Sequence, residues 1–338
     1  MVVVAVVNYA KPKNLNSFTN LRFVLLFVCF HLLFPESVKA ECLSFLPHGY
    51  NGYFVHLPKN KKFCVNTPDG IVNYNTNDMG ARIITGTDPS KIIYAFGESQ
   101  LIEIFPNYNN FNHTLRNIYI KQNLNLHGAP NNGPNETLSF IKYVITNSKK
   151  KINNITISIN LGFDLFRVLP AWKTQDKVTL KSNEIDFMMN YPKVYNLFNF
   201  GRLLLNNKIE TINSEKQTYL NRNYFIKKEP EIKIYFEYWL ENVKKLKDDY
   251  GLIVELLIFQ PWWSYDTGNI EDVAVLNKKF ERKAKNIVCF SLKKHKKLFD
   301  NITYFDFNKK LKINKLFTYD LRHFIDRSPL VTSKPFKC

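Results

Sequence analysis

Residues Lys91–Pro106 read KIIYAFGESQLIEIFP, and the fold turns on how this stretch is parsed. A short apolar run leads into Gly97-Glu98-Ser99, and a second apolar segment follows that suits the opening of a helix. A serine raised on a tight turn between a buried strand and a helix exposes its hydroxyl at the carboxyl edge of a parallel sheet, where open α/β folds build their sites. The same residues also suit an ordinary strand–turn–helix corner, because Gly-x-Ser is too short to separate the two. The rest of the chain has to supply a base, an orienting carboxylate and oxyanion donors in a compatible order.

Downstream, Asn117–Leu126 alternates as a strand, and His127–Pro134 (HGAPNNGP) is a turn-rich loop. Asn135 is placed to cap the next helix, with Glu136 in its first turn and Leu138, Ile141, Tyr143 and Val144 on its apolar side. In a loop between strand and helix, backbone N–H groups can be aimed at an oxyanion, and Gly128 is the candidate because it lets substrate approach the amide. A plain strand-to-helix connection fits the same residues. Ile155–Leu161 (ITISINL) suits a central strand that delivers Asn160, Gly162, Asp164 and Arg167 at its end, the last two with the spacing of a structural ion pair. Pro230–Asp249 reads as a helix stopped by Gly251, Leu252–Gln260 as a further central strand, Glu271–Leu298 as a basic helical region, and Ile302–Phe305 as the last strand. Trp262 and Trp263 follow a strand end, where paired indoles suit sugar stacking, a hydrophobic lid or a buried rim. Strands alternating with helices predict right-handed crossovers and an α/β fold: three layers, α/β/α, around a mostly parallel central sheet.

Upstream, Glu41–Ser90 is an irregular lead-in with a few short strands, ending in Asn77-Asp78-Met79-Gly80-Ala81-Arg82. Residues 1–40 carry Lys11, Lys13 and Arg22, then the apolar run Phe23–Phe34, then Val38-Lys39-Ala40. That order predicts a secretory signal peptide, its core being shorter than a membrane span; an uncleaved anchor is the alternative. Either way the expectation is export, to the cell envelope, the periplasm or the medium. Four cysteines lie beyond this segment, Cys42, Cys64, Cys289 and Cys338, enough for two disulfides with Cys42–Cys64 the most local pairing. Their spacing fits no zinc pattern. With 338 residues and 45% hydrophobic content the chain has material for a substantial core, and a net charge of +18 makes it strongly basic. The lysines are scattered among asparagines with no nucleic-acid module, so nucleic acid is not predicted as a partner. An anionic envelope surface, glycan or lipid headgroup, suits the charge.

Near the C-terminus, Asp320 and His323 stand three apart. One turn can bring the carboxylate to Nδ1 of the imidazole and leave Nε2 outward, which is the base and orienter that a serine nucleophile needs. A surface Asp–His pair has the same spacing.

Taken together, these segments resemble the SGNH, or GDSL-like, hydrolases. Gly97-Glu98-Ser99 is similar to the first block, with Glu98 where Asp is usual; Gly128 in HGAPNNGP is similar to the second; Asp320-Leu-Arg-His323-Phe resembles the last, D-x-x-H followed by an aromatic. NDMGAR is similar to the N-x-x-G-x-R lead-in of many exported bacterial members. The third block departs: G-x-N-D is the pattern, and this chain has Asn160-Leu161-Gly162-Phe163-Asp164. The resemblance implies a flavodoxin-like domain over 91–338 and a serine esterase that removes O-acyl groups, O-acetyl above all, from a carbohydrate or other envelope ester. It implies Ser99, His323 and Asp320 as the triad, Gly128 and Asn160 as oxyanion donors, and no metal or organic cofactor. Two alternatives stay open: an O-acetyltransferase acting on an extracellular polysaccharide, and a glycan-binding protein that keeps the fold without the chemistry.

Overall fold

The computed structural model describes residues 42–43, 46–67, 70–98, 101, 121–129, 132–161, 164–170, 181–191, 195–196, 214–259, 271–307, 331–336 and 338. The predicted signal peptide at 1–40 lies outside them. The lead-in forms two small antiparallel pairs, β1 (Gly49–Tyr50) with β2 (Val55–His56) and β3 (Lys62–Thr67) with β4 (Gly70–Asn75). Val65 of β3 and Tyr74 of β4, with Leu43, Leu57, Ile185, Met189 and Tyr195, make a small core of their own. The Cys42–Cys64 disulfide anticipated from the sequence ties the start of this region to β3.

The main sheet has seven strands: β5 (Arg82–Ile84), β6 (Asp88–Glu98), β7 (Gln122–Ala129), β8 (Asn154–Asn160), β9 (Ile253–Phe259), β10 (Asn301–Phe307) and β11 (Val331–Pro335). Their order is β11-β10-β9-β8-β6-β7-β5. Strands β6 to β10 are mutually parallel, and antiparallel β5 and β11 close the two edges. The five parallel strands thus run 2-1-3-4-5 in space, a doubly wound order. This is the α/β fold with a mostly parallel central sheet that the sequence pattern predicts.

Both faces of the sheet are buried. Phe96, Ile155, Ile157, Ile159, Val254, Leu256 and Ile258 share one face by register, and Thr156, Ser158, Leu257 and Phe259 share the other. Over the first face lie α1 (Pro134–Asn147), α4 (Ser214–Tyr250) and α5 (Glu271–Lys294), joined into the same core. Connections from β7 to β8, β8 to β9 and β9 to β10 all step the same way across the sheet, so right-handed crossovers put their helices on one side. Two shorter helices, α2 (Asp164–Arg167) and α3 (Ser182–Met188), fall between β8 and α4. The architecture is consistent with a three-layer α/β fold.

Boundaries differ from the sequence reading in four places. Strand β7 runs to Ala129, so His127 and Gly128 belong to a strand and not to the loop; the His127 ring stacks on Phe96 of β6 at 4.6 Å, an apolar contact that a polar residue type conceals. Gly133, not Asn135, caps α1: Pro134 takes the first helical position, where a missing N–H costs nothing, and Glu136 accepts the Gly133 N–H at 3.1 Å. Helix α4 starts sixteen residues before Pro230 and carries that proline inside it, on an exposed position. Finally β11 adds a strand beyond Ile302–Phe305; it is a short antiparallel edge strand ending in proline, which an edge tolerates. Gly251, with φ +62°, ends α4 as expected.

Candidate active site

Strands β6, β7 and β8 end together at Glu98, Ala129 and Asn160. The connection leaving β6 goes to β7 on one side and the one leaving β8 goes to β9 on the other, so the crevice at this edge is the topological switch point of the sheet, where open α/β folds bind ligands. Gly97 is needed there for packing. The Ser158 hydroxyl reaches across from β8 to donate to the Phe96 carbonyl at 3.2 Å, and a Cβ on residue 97 would lie 1.8 Å from the Ser158 Oγ.

A buried charged cluster occupies this edge. Arg167 of α2 donates from Nη1 to Glu98 Oε2 at 2.9 Å, and the same nitrogen lies 3.6 Å from Asp164 Oδ1 and 3.4 Å from the Asn132 carbonyl. Asp164 Oδ2 accepts the Asn160 N–H at 2.8 Å, tying the last residue of β8 to the first turn of α2. Glu98 is 7% exposed, Arg167 9% and Asp164 3%, so both acids compete for one cation away from water. The guanidinium sits closer to Glu98. Burial first, and the charge of Glu98 second, push the Asp164 carboxyl well above the usual carboxylate range, against the opposing pull of Arg167 and the Asn160 N–H. Asn132 extends the network: its Oδ1 accepts from the Val55 N–H and its Nδ2 donates to the Val55 carbonyl, both at 2.8 Å, so β2 is clamped to the residue preceding the α1 cap.

Of the residues singled out from sequence, Ser99, Trp262, Trp263, Asp320 and His323 lie outside the described residues. Glu98, which precedes Ser99, is the last residue of β6. Gly128 pairs in register with Gly97, and Asn160 ends β8, buried; by alternation both fall on the sheet face that carries Ser158, opposite the face of Phe96 and Glu98. Asp164 and Arg167 form the ion pair their spacing suggested.

The NDMGAR lead-in folds into a turn. Asn77 Oδ1 accepts the Met79 and Ala81 N–H groups, both at 2.9 Å; Gly80 takes φ +75° where a Cβ would meet the Leu57 carbonyl at 2.5 Å; and Arg82 stacks 4.4 Å over the Tyr74 ring while donating to the Asn73 carbonyl. The motif therefore seats the lead-in against the start of the sheet. His127, next to Gly128, is enclosed by Phe96 and, edge-on at 5.1 Å, by Phe140; burial drives its imidazole down to about 3.

The Arg167–Glu98 pair and the Asn132 clamp escape the sequence reading because each joins residues far apart in the chain. Among the described residues, no group of three or more His, Cys, Asp and Glu is arranged to hold a metal, and no helix is long and apolar enough to cross a membrane.

No protein-family model matches this chain, and no curated protein does. Among solved structures it is similar to the esterase AlinE4 in two mutant forms, at 13% and 12% identity, over 64% of this chain and 78% of that one, with a TM-score of 0.30 for each. A likeness at this level identifies no family and assigns no chemistry to this chain.

Proposed function

We propose that this chain is an exported serine esterase that removes O-acyl groups, acetyl above all, from a carbohydrate of an envelope or extracellular surface. One observation carries the reading: Gly97 and Glu98 of the GES segment end an apolar strand at the switch point of a 2-1-3-4-5 parallel sheet. In this reading Ser99 Oγ attacks the acyl carbonyl and its proton passes to His323. Collapse of the tetrahedral intermediate breaks the ester C–O bond, and His323 returns the proton to the leaving alcohol. Water, deprotonated by the same imidazole, then releases the acid and restores Ser99. Asp320 holds the His323 tautomer, and the Gly128 amide and Asn160 stabilise the oxyanion. The Arg167–Glu98 pair anchors the strand end from which Ser99 departs.

Export is supported by the basic–apolar–small order of residues 1–40 and by the two disulfides, Cys42–Cys64 and Cys289–Cys338, which persist in oxidising compartments. The acetyl–carbohydrate substrate rests on the SGNH resemblance together with export. The test is release of acetate from a chromogenic acetyl ester by wild type and Ser99→Ala. The expected outcome is a loss of at least about 10³-fold in kcat/KM for the variant. Equal background rates in both would overturn the esterase reading, whereas acetyl transfer to an added polysaccharide in preference to water would redirect it to an O-acetyltransferase.

A further inference from the structure

A second serine–histidine pair lies outside this edge. His56, at the end of β2, is buried, and its Nε2 is 2.7 Å from the hydroxyl of Ser182, the first residue of α3, 126 positions away in sequence. Its Nδ1 is 2.7 Å from the Leu57 carbonyl. A carbonyl can only accept, so Nδ1 carries the proton and Nε2 presents a lone pair; the Ser182 O–H is then the donor and points its proton at a base.

Three features hold that base still. The Leu57 carbonyl fixes the tautomer. The Gly80 turn closes over the ring, where a Cβ would lie 3.0 Å from Nδ1. The preceding residue, Val55, is clamped through both its backbone groups by Asn132. The hydroxyl comes from a different element and is only half-buried, so the serine keeps access to solvent while its base has none. A nucleophile, a base within hydrogen-bond reach and a group that orients the base are the parts of an activated serine. The charged groups that act on the imidazole are Lys59, which opposes its protonation, and Asp186, which favours it; burial outweighs both and keeps the ring neutral.

We propose that Ser182 is a second nucleophilic serine, activated by His56, which accepts an acyl group from an activated ester. Ser182 Oγ forms the new bond to the acyl carbon, the ester C–O bond breaks, and the hydroxyl proton moves through His56 Nε2 to the departing alkoxide. No other reactant is required. The proposal is independent of Ser99.

The experiment treats the full, oxidised protein with a fluorophosphonate reagent and locates adducts by mass spectrometry after trypsin. Ser182 and Ser99 fall on separate peptides, Ser182–Lys193 and Ile92–Arg116, so the two serines are read independently. The expected result is an adduct on Ser182 that is absent in Ser182→Ala and forms at least about 10²-fold more slowly in His56→Gln. A third arm needs no variant: in the wild type the labelling rate at Ser182 is expected to fall as the pH drops through the imidazole titration, with a midpoint below its ordinary value of 6.5. An unlabelled Ser182 in folded wild type overturns the proposal. So does a rate that is unchanged by His56→Gln, or one that matches the urea-unfolded chain.

Discussion

His127 faces Phe96 and Phe140 with neither ring nitrogen hydrogen-bonded among the described residues, and this gives the protein a specific acid sensitivity. The folded state holds the imidazole neutral down to about 3, while the unfolded chain takes the proton near 6.5. As pH falls between those values the unfolded state binds one more proton, so stability that is complete above about 6.5 declines by about 1.4 kcal/mol per pH unit. His127→Phe, which suits the aromatic surroundings, should remove that slope; the measurement is the urea midpoint of both proteins from pH 7 to pH 4. His56 shifts in the same direction and Asp164 in the opposite one, so the difference between the two curves isolates His127. Parallel curves would refute the assignment. At this scale the chain was partly legible. Asp164 and Arg167 announce their pairing by spacing, but Glu98, which takes the better half of that guanidinium, lies 69 positions upstream.

Among the elements, the strands read most clearly, because β8 and β9 are buried on both faces and their β-branched and leucine-rich runs carry that fact in the residue types. Helix α4 shows the limit. Ile232, Phe236, Trp239, Leu240 and Val243 mark its apolar stripe unmistakably, and Trp239 also donates its indole N–H to the Pro134 carbonyl at 3.1 Å. Its beginning is hidden in the sequence because proline at a first helical position and proline inside a helix look alike in one dimension; helix on the near side, from Ser214, continues through it. Pro230 leaves the Ile226 carbonyl without its helical donor, at an exposed position. Pro230→Ala should therefore raise stability by about 1–3 kcal/mol, read as an increased urea midpoint with an unchanged slope. A lowered midpoint would mean that the local geometry at Pro230 is needed for packing. The strand–loop boundary at His127 is hidden for a related reason: the glycines, prolines and asparagines of HGAPNNGP signal a turn by composition, and it is the neighbours Phe96 and Phe140 that make His127 a core residue.

For the molecule as a whole, the mostly parallel α/β sheet follows from the alternation of strands and helices, whereas its 2-1-3-4-5 order is set by which strands pair across long connections, and the proposed triad residues Ser99, Asp320 and His323 fall outside the described residues. The two disulfides act on opposite ends of the structure. Cys289–Cys338 joins α5 to the segment after β11 across a separation of 49, and Cys42–Cys64 closes 22. On chain-entropy grounds the longer closure is worth about 4 kcal/mol and the shorter about 3. Reduction should thus lower the melting temperature, and Cys289→Ala with Cys338→Ala should lower it more than Cys42→Ala with Cys64→Ala, as measured by calorimetry. The reverse ranking would show that strain or residual structure in the unfolded chain dominates.

The 2-1-3-4-5 order also imposes a timetable on a chain made from its N-terminus. β6, β7, α1 and β8 can assemble as soon as they are synthesised, but the other side of β8 is reserved for β9, which begins at Ile253, about ninety residues later. At 5–20 residues per second the ribosome takes about 5–20 s to deliver it. Throughout that interval the centre of the future sheet is an open edge, with six consecutive buried residues from Ile155 to Asn160, able to pair with the wrong strand. A chain ending between β8 and β9 is therefore expected to aggregate more readily than one that includes β9, which the soluble yields of the two truncations would show.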